Sequence, residues 1–187
     1  MKKFFISVLE IGEIALIAVV SVFLIRTFLV QPFLVSGMSM VPNFSDGDYL
    51  LIDELTYRIR PAERGEVVVF HNPQDESVYF IKRVIGLPGE IVRIKENKVY
   101  ILRTSNGEEK ALVEKYLPAG TVTTNMNNVS EFKLGPNQYF ALGDNRPYSF
   151  DSRGWGVLES KEIVGLVRLR LWPVDTLRAF AAPQYGI

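Results

Sequence analysis

The sequence predicts a mainly β fold: an N-terminal transmembrane helix followed by an antiparallel β core with a small inserted lobe. Three observations support this prediction. The chain has a single apolar segment of membrane length, and it lies within residues 1–34. The later apolar runs are short, rich in β-branched residues and separated by Gly, Pro and Asn, which is typical of antiparallel strands. Between residues 104 and 134 the composition shifts to Thr, Asn, Glu and Gly, which indicates a more exposed insertion.

The composition excludes several classes of partner and site. The chain has 187 residues with 21 basic and 21 acidic side chains, so no charge excess indicates a nucleic-acid partner. It contains no cysteine, which excludes disulfides, thiolate nucleophiles and cysteine-ligated metals. The single histidine, His71, excludes a site with several histidine ligands. We therefore expect neither a metal nor a cofactor.

Residues 1–34 are predicted to form a short cytoplasmic N-terminus and an uncleaved anchor. The uncharged centre, residues 14–25, is too short to span a bilayer alone, so the span includes flanking charged residues. Pro32 is expected to end the helix, because a proline pushes the preceding residue out of the α region. The two N-terminal lysines indicate a single pass through the cell membrane, with residues 35–187 on the extracytoplasmic side.

Two alternatives to an anchor exist for this segment. A cleaved leader needs a small-x-small site after the apolar run, and residues 26–31 contain none. A soluble amphipathic helix needs a polar face, whereas the centre is apolar on every face.

The core is predicted from a series of short strand candidates. They comprise residues 48–53, 65–70, 78–85, 90–94, 98–102, 138–142 and 163–172. The fourth and fifth form a hairpin. Residues 104–134 are read as an inserted lobe or a long loop, with partial disorder as the alternative. No glycine-rich phosphate loop or βαβ alternation occurs, so a nucleotide-binding fold is not indicated.

The stretch that follows the apolar segment contains a serine between two methionines, with Gly37 before Ser39 and Pro42 after it. Glycine permits a close backbone approach, and proline fixes the direction in which the chain leaves. Such a turn can present the Ser39 hydroxyl to a substrate. The alternative is a polar turn between a helix and a strand.

Lys82 and Arg83 are adjacent bases inside an apolar strand candidate. Alternation places them on opposite faces, so at least one base is expected to be half-buried. An edge strand protected by charge is one explanation. The other is a general base: burial that lowers the pKa from ~10.4 to ~7–8 costs roughly 4 kcal/mol and leaves an amine able to deprotonate Ser39. His71 competes for this role, but it lies in a polar loop setting where histidines are usually solvated.

Residues 143–156 are a third polar stretch, which follows an apolar strand candidate. Asp151 and Arg153 are spaced to pair, and Ser149 could orient a neighbouring amine. A surface network of turns is the alternative.

Together these stretches resemble the type I signal peptidases, the membrane-anchored Ser/Lys proteases that remove signal peptides from exported proteins. The likeness covers the anchor and residues 33–42, 80–89 and 143–155. It implies a hydrolase with a mostly antiparallel β catalytic core and an inserted lobe, acting as a serine endopeptidase through an acyl-enzyme. It also implies signal-peptide-bearing preproteins as partners, in a monomeric protein held in the lipid bilayer.

The resemblance implies a role for each matching residue. Ser39 would be the nucleophile and Lys82 the general base, with the Ser39 backbone N–H as an oxyanion donor. The supporting residues would be Ser149, Asp151, Arg153 and Gly37. Shallow pockets for small side chains at positions −1 and −3 of the substrate would be lined by Phe33, Val35, Met40 and Ile81. The chain departs from many members at Gly37, where some carry a serine donor, and at Asn43, where many carry threonine.

Three rival functions remain as alternatives. A self-cleaving repressor-type Ser/Lys peptidase would need a DNA-binding helical domain and basic charge. An aspartic signal peptidase would need several membrane spans. A membrane-tethered β module could bind peptides without cutting them, and this rival depends on whether Ser39 and Lys82 lie within hydrogen-bond reach.

Overall fold

A computed structural model of the chain describes residues 10–21, 30–103, 107–183 and 185. Residues 10–21 are helical and exposed throughout. Within the described parts of the chain, no helix is both long enough and apolar enough to traverse a bilayer. The rest of the predicted anchor, residues 1–9 and 22–29, lies outside the described residues.

The described chain beyond residue 30 is built mainly from antiparallel strands. In chain order they are β1 Val30–Leu34, β2 Tyr49–Asp53, β3 Val67–Asn72, β4 Asp75–Gly86, β5 Ile91–Lys95, β6 Lys98–Leu102, β7 Lys110–Ala111, β8 Glu131–Lys133, β9 Gln138–Leu142, β10 Leu158–Glu159, β11 Ile163–Trp172 and β12 Arg178–Ala179. Short α-helices occupy Thr56–Ile59 and Ser152–Trp155, and 3₁₀ turns occupy Arg146–Tyr148, Ser160–Glu162 and Val174–Thr176.

The strands form two sheets. The larger has the order β1-β2-β11-β3-β4-β9-β10, with β12 paired to β11, and the smaller has the order β7-β6-β5-β8. Strand β4 lies between β3 and β9, so it crosses the middle of the larger sheet. It begins earlier than the predicted 78–85, because Asp75–Gly86 continues the pairing with β3 as far as Asn72.

Strand β1 lies inside the segment that the sequence analysis assigned to the anchor, residues 1–34. It pairs with β2 from Val30 opposite Asp53 to Leu34 opposite Tyr49, so these residues belong to the β core. Pro32 is part of this strand and does not mark a helix end. The proline is tolerated because β1 is at the sheet edge, where one side of the strand has no ladder partner to receive an N–H.

The smaller sheet also differs from the prediction. From the sequence, the 90–102 hairpin was expected in the core and the inserted lobe was expected to begin at residue 104. In the structure, β7 and β8 flank that hairpin, so the lobe's sheet begins at β5, while residues 104–106 lie outside the description. Inward-facing Val92, Ile94 and Val99 pack with Phe140 and Leu142 of β9, which joins the smaller sheet to the larger one.

Candidate active site

Ser39 lies on a turn formed by residues 37–43 (the Ser39 turn). Hydrogen bonds hold this turn on both sides. Gly37 adopts a φ of 98°, which strains any residue with a side chain, and its N–H donates to Asp46 Oδ1 over 2.7 Å. On the other side, Ser39 O accepts a 3.0 Å hydrogen bond from Asn145 N, and Asn145 Nδ2 donates to Met38 O over 3.0 Å. The backbone that carries the Ser39 hydroxyl is therefore fixed at several points.

Lys82 reaches Ser39 from the middle of β4. Its Nζ lies 2.7 Å from Ser39 Oγ and donates a second hydrogen bond of 2.9 Å to Ile81 O. The residue is 3% exposed, and the ring of Phe80 lies 5.1 Å from the amine. Two groups that are distant in sequence thus meet within hydrogen-bond reach in a largely apolar setting.

The pKa of Lys82 is lowered by this setting. Burial lowers it from 10.5 to about 8, against the opposing charges of Asp151 and Asp144. About half of the amine is then neutral near pH 8. Once it is neutral, the 2.7 Å contact can run in the opposite sense, with the Ser39 hydroxyl donating to the Nζ lone pair.

Arg83, the next residue, faces the other side of β4 and is paired. Its Nε donates to Asp144 Oδ1 over 2.8 Å and its Nη2 donates to Asp144 Oδ2 over 2.6 Å, and Nη1 donates to Gly65 O over 2.8 Å. The guanidinium also lies 4.0 Å from the centre of the Tyr116 ring. The carboxylate of Asp144 thus compensates the charge of Arg83 within the protein interior.

Residues 143–153 form a loop (the 143–153 loop) that follows β9 and packs against the Ser39 turn. Asp151 and Arg153 are buried and pair through two 2.8 Å hydrogen bonds, from Arg153 Nε to Oδ1 and from Nη2 to Oδ2. Asp151 also caps the Ser152–Trp155 helix and accepts a 3.1 Å hydrogen bond from Gly143 N. The pair therefore fixes both ends of the loop.

Ser149 is buried, but its predicted hydrogen bond to Lys82 is not formed. Its Oγ has no hydrogen-bond partner among the described residues. A Cβ placed on Gly143 would lie 2.1 Å from Ser149 Oγ and 2.5 Å from Ser39 O, so only glycine fits between them. The Ser149 hydroxyl is therefore packed next to the backbone of Ser39, and Lys82 Nζ is held by Ile81 O instead.

A cleft of about 270 Å³ opens onto Ser39 and Lys82. Three of the four predicted substrate-binding residues, Phe33, Val35 and Ile81, line it.

Met40 is a correction to that prediction. It is 1% exposed and packs in the apolar core with Phe44, because the turn directs it away from the cleft and into the protein interior. Met38, two residues earlier, is 64% exposed and lines the cleft in its place.

Two aromatic residues of the 143–153 loop that were not predicted from the sequence, Tyr148 and Phe150, also line the cleft. They alternate along the 143–153 loop with buried Ser149 and Asp151, and both are exposed. The alternation of aromatic and polar residues in the sequence could have indicated that the aromatic side chains face outward. His71 lies elsewhere: its Nδ1 is 2.7 Å from Glu76 O, and it is not part of the cleft wall.

Comparison with known proteins identifies the family of the chain. The family model described as signal peptidase, peptidase S26, matches residues 8–172. A probable signal peptidase I-2 of Synechocystis sp. is 38% identical over 172 residues, which cover 89% of this chain and 74% of that protein. Signal peptidase I T of Bacillus subtilis is 35% identical over 184 residues, which cover 95% of this chain and 92% of that protein.

A crystal structure of a signal peptidase I from Enterococcus faecalis V583 is also similar, at 30% identity and a TM-score of 0.45 over 58% of this chain and 97% of that one. Because the family model spans most of the sequence and the curated relatives match it over most of their own length, the chain belongs to the peptidase S26 family of signal peptidases and is an enzyme of the type I signal peptidase class.

Proposed function

We propose that this chain removes N-terminal signal peptides from exported preproteins as a membrane-bound serine endopeptidase with Ser39 as nucleophile and Lys82 as general base. The observation that carries the proposal is the 2.7 Å contact between Ser39 Oγ and Lys82 Nζ at a cleft with apolar walls. The lowered pKa of Lys82 supports the assignment, because a lysine acts as a base only in its neutral form.

Acylation begins when neutral Lys82 takes the proton of the Ser39 hydroxyl as Oγ attacks the carbonyl carbon of substrate residue −1. The tetrahedral intermediate collapses with cleavage of the C–N bond. Lys82 then returns the proton to the departing amine, which becomes the N-terminus of the mature protein. The signal peptide remains attached to Ser39 as an ester.

Deacylation uses the same two side chains. Neutral Lys82 takes a proton from a water molecule, and the hydroxide attacks the ester carbonyl. The ester C–O bond breaks, Ser39 Oγ recovers a proton from Lys82, and the signal peptide leaves with a new carboxylate.

Charged intermediates in this cycle need hydrogen-bond partners. The backbone N–H of Ser39 is the proposed oxyanion donor; Gly37 has no side-chain donor, and its N–H is used by Asp46. Protonated Lys82 has three N–H groups, and Ile81 O accepts one of them. Ser149, with its unpartnered buried hydroxyl beside Ser39, is the proposed orienting residue for this form, and the Asp151–Arg153 pair holds its loop.

The cleft also fits an extended peptide with small side chains. Phe33 belongs to the edge strand β1, Val35 follows directly after that strand, and Ile81 lies beside Lys82. A substrate strand that pairs with such an edge would place alternate side chains on these apolar surfaces. We propose that these surfaces bind the small side chains that the resemblance implies at positions −1 and −3.

Membrane attachment is part of the proposal. The apolar segment leads into β1, which enters the cleft wall at Phe33, so an anchor with a cytoplasmic N-terminus would hold the cleft close to the extracytoplasmic surface of the cell membrane. We propose that the protein acts there as a single-pass monomer on translocated preproteins.

The test is cleavage of a preprotein by the full chain in detergent, with the new N-terminus identified by mass spectrometry. Ser39→Ala and Lys82→Ala should each lower kcat by at least about 10³-fold while both variants remain folded by circular dichroism. Ser130→Ala, at an exposed serine outside the cleft wall, is the matched control and should retain full activity. Undiminished cleavage by Ser39→Ala would contradict the proposal.

A further inference from the structure

Asn43 connects three parts of the protein through one side chain. Its Nδ2 donates to Asp144 Oδ2 over 2.9 Å and to Tyr116 O over 3.0 Å. The backbone carbonyl of Asn43 separately accepts a 2.7 Å hydrogen bond from Arg170 Nη2. Asn43 ends the Ser39 turn, Asp144 lies in the 143–153 loop, and Tyr116 lies between β7 and β8 of the smaller sheet. The amide thus holds the nucleophile's turn against two other elements.

Both hydrogens of the amide are used by these contacts. Asp144 is 2% exposed and cannot rely on water, so each donor to its carboxylate matters. Arg83 supplies two of those donors and Asn43 supplies a third. A hydroxyl has only one hydrogen to donate, so a threonine at this position could make at most one of the two Asn43 contacts.

The contact at Asn43 is one of two ties between the Ser39 turn and the 143–153 loop. The other is Asn145, next to Asp144, which donates to Ser39 O and Met38 O. One tie therefore lies at the nucleophile and the other at the end of its turn. Because Asp144 and Asn145 contact the Ser39 turn at two separate points, the turn cannot rotate against the loop. With one of these contacts removed, the turn could tilt and move Ser39 Oγ away from Lys82 Nζ.

We infer that Asn43 is a positioning residue, whose amide fixes the Ser39 turn against the 143–153 loop and thereby sets the Ser39–Lys82 geometry. This inference rests on the proposed function. Misplacement of a reacting group by about 1 Å can cost about 10²-fold in rate, so a residue with no substrate contact can govern kcat. Asn43 is not part of the cleft wall, so KM should be largely independent of it.

The test compares steady-state cleavage of a preprotein by the full chain in detergent. Asn43→Asp keeps the side chain's shape but replaces the donor with a carboxylate facing Asp144, and should lower kcat by roughly 10- to 100-fold with KM within about threefold. Asn43→Ala should fall at the lower end of that range. Asn43→Thr restores one donor and should recover part of the loss. Asn137→Asp makes the same charge change at an exposed turn and is the matched control.

The folded fraction of each variant, from circular dichroism, separates positioning from stability. A merely structural role would lower the melting temperature and leave kcat per folded molecule within about twofold of Asn137→Asp, which would overturn the inference. Should Asn43→Asp not fold, Asn43→Ala decides by the same criterion. Failure of the unaltered chain to cleave any preprotein would instead remove the proposed function, and this inference with it.

Discussion

Lys82 and Arg83 are neighbours on one strand, both cationic and both almost fully buried, yet their surroundings are opposite. Arg83 donates two hydrogen bonds to Asp144, from Nε and Nη2 of its guanidinium. Lys82 Nζ is bonded to a hydroxyl and a backbone carbonyl, and none of the carboxylates in the described parts of the chain bonds to it. The difference follows from alternation, because successive residues of β4 face opposite sides of the sheet.

This comparison shows two ways in which a protein accommodates a buried cation. It can provide an anion with matching geometry, as at Arg83, or it can leave the group without one and lower its pKa, as at Lys82. The first solution stabilises the fold and leaves the group chemically inert. The second costs stability and yields a base. Removing Arg83 should therefore lower the free energy of unfolding, whereas removing Lys82 should raise it.

The largest effect on stability is expected for Arg83→Met. This substitution leaves Asp144 buried without its guanidinium and should lower the free energy of unfolding by about 3–5 kcal/mol. Urea denaturation of the full chain in detergent measures it. Arg93→Met is the matched control: it removes a half-exposed strand arginine paired with Glu131 and Glu109, and should cost less than about 1 kcal/mol. Equal losses for the two variants would contradict the account.

Lys82→Met should act in the opposite direction and raise the free energy of unfolding by about 1–3 kcal/mol near neutral pH. The pKa of Lys82 is about 8 in the folded protein and 10.5 ordinarily, so the unfolded chain binds more protons between these values. The stability cost of the lysine is therefore complete below pH 8 and is lost as the pH rises towards 10.5.

The gain from Lys82→Met should accordingly shrink between about pH 7 and about pH 10 in urea denaturation. Lys98→Met, at an exposed position of β6, is the control and should stay within about 0.5 kcal/mol of the unaltered chain at both pH values. A lower free energy of unfolding for Lys82→Met at neutral pH would show that the buried charge of Lys82 does not cost stability, and would contradict the account.

The smallest effect is expected for His71→Ala. His71 lies at the end of β3 outside the cleft wall, with its Nδ1 2.7 Å from Glu76 O, and it makes no hydrogen bond to Ser39 or Lys82. Preprotein cleavage should stay within about twofold of the unaltered chain. A loss comparable to that of Lys82→Ala would transfer the role of base to the histidine.

Alternation and β-branched composition were enough to predict β2, β3, β9, β11 and most of β4, because these strands bury one or both faces. Alternation also separated Lys82 from Arg83. It could not determine which of the two would meet a carboxylate, because Asp144 reaches β4 through β9, a contact far apart in sequence. The role of Asn43 was missed for the same reason, since its partners lie in two distant segments.

Other differences arose where local signals were ambiguous. Pro32 was read as a helix end, although a proline is also compatible with an edge strand such as β1. The two methionines beside Ser39 carry equal hydrophobicity, so the sequence could not tell that Met38 would face the cleft and Met40 the core. Strands as short as β7 and β10 have too few residues for a periodic signal.

The most direct test of the central claim is the pH dependence of kcat/KM for preprotein cleavage by the unaltered chain, because this ratio reports ionisations of the free enzyme. If Lys82 acts as a neutral base, kcat/KM should rise about tenfold per pH unit on the acid side and level off with a midpoint near the pKa of about 8. A rate unchanged across that range, or a midpoint at the ordinary lysine value of 10.5, would contradict it.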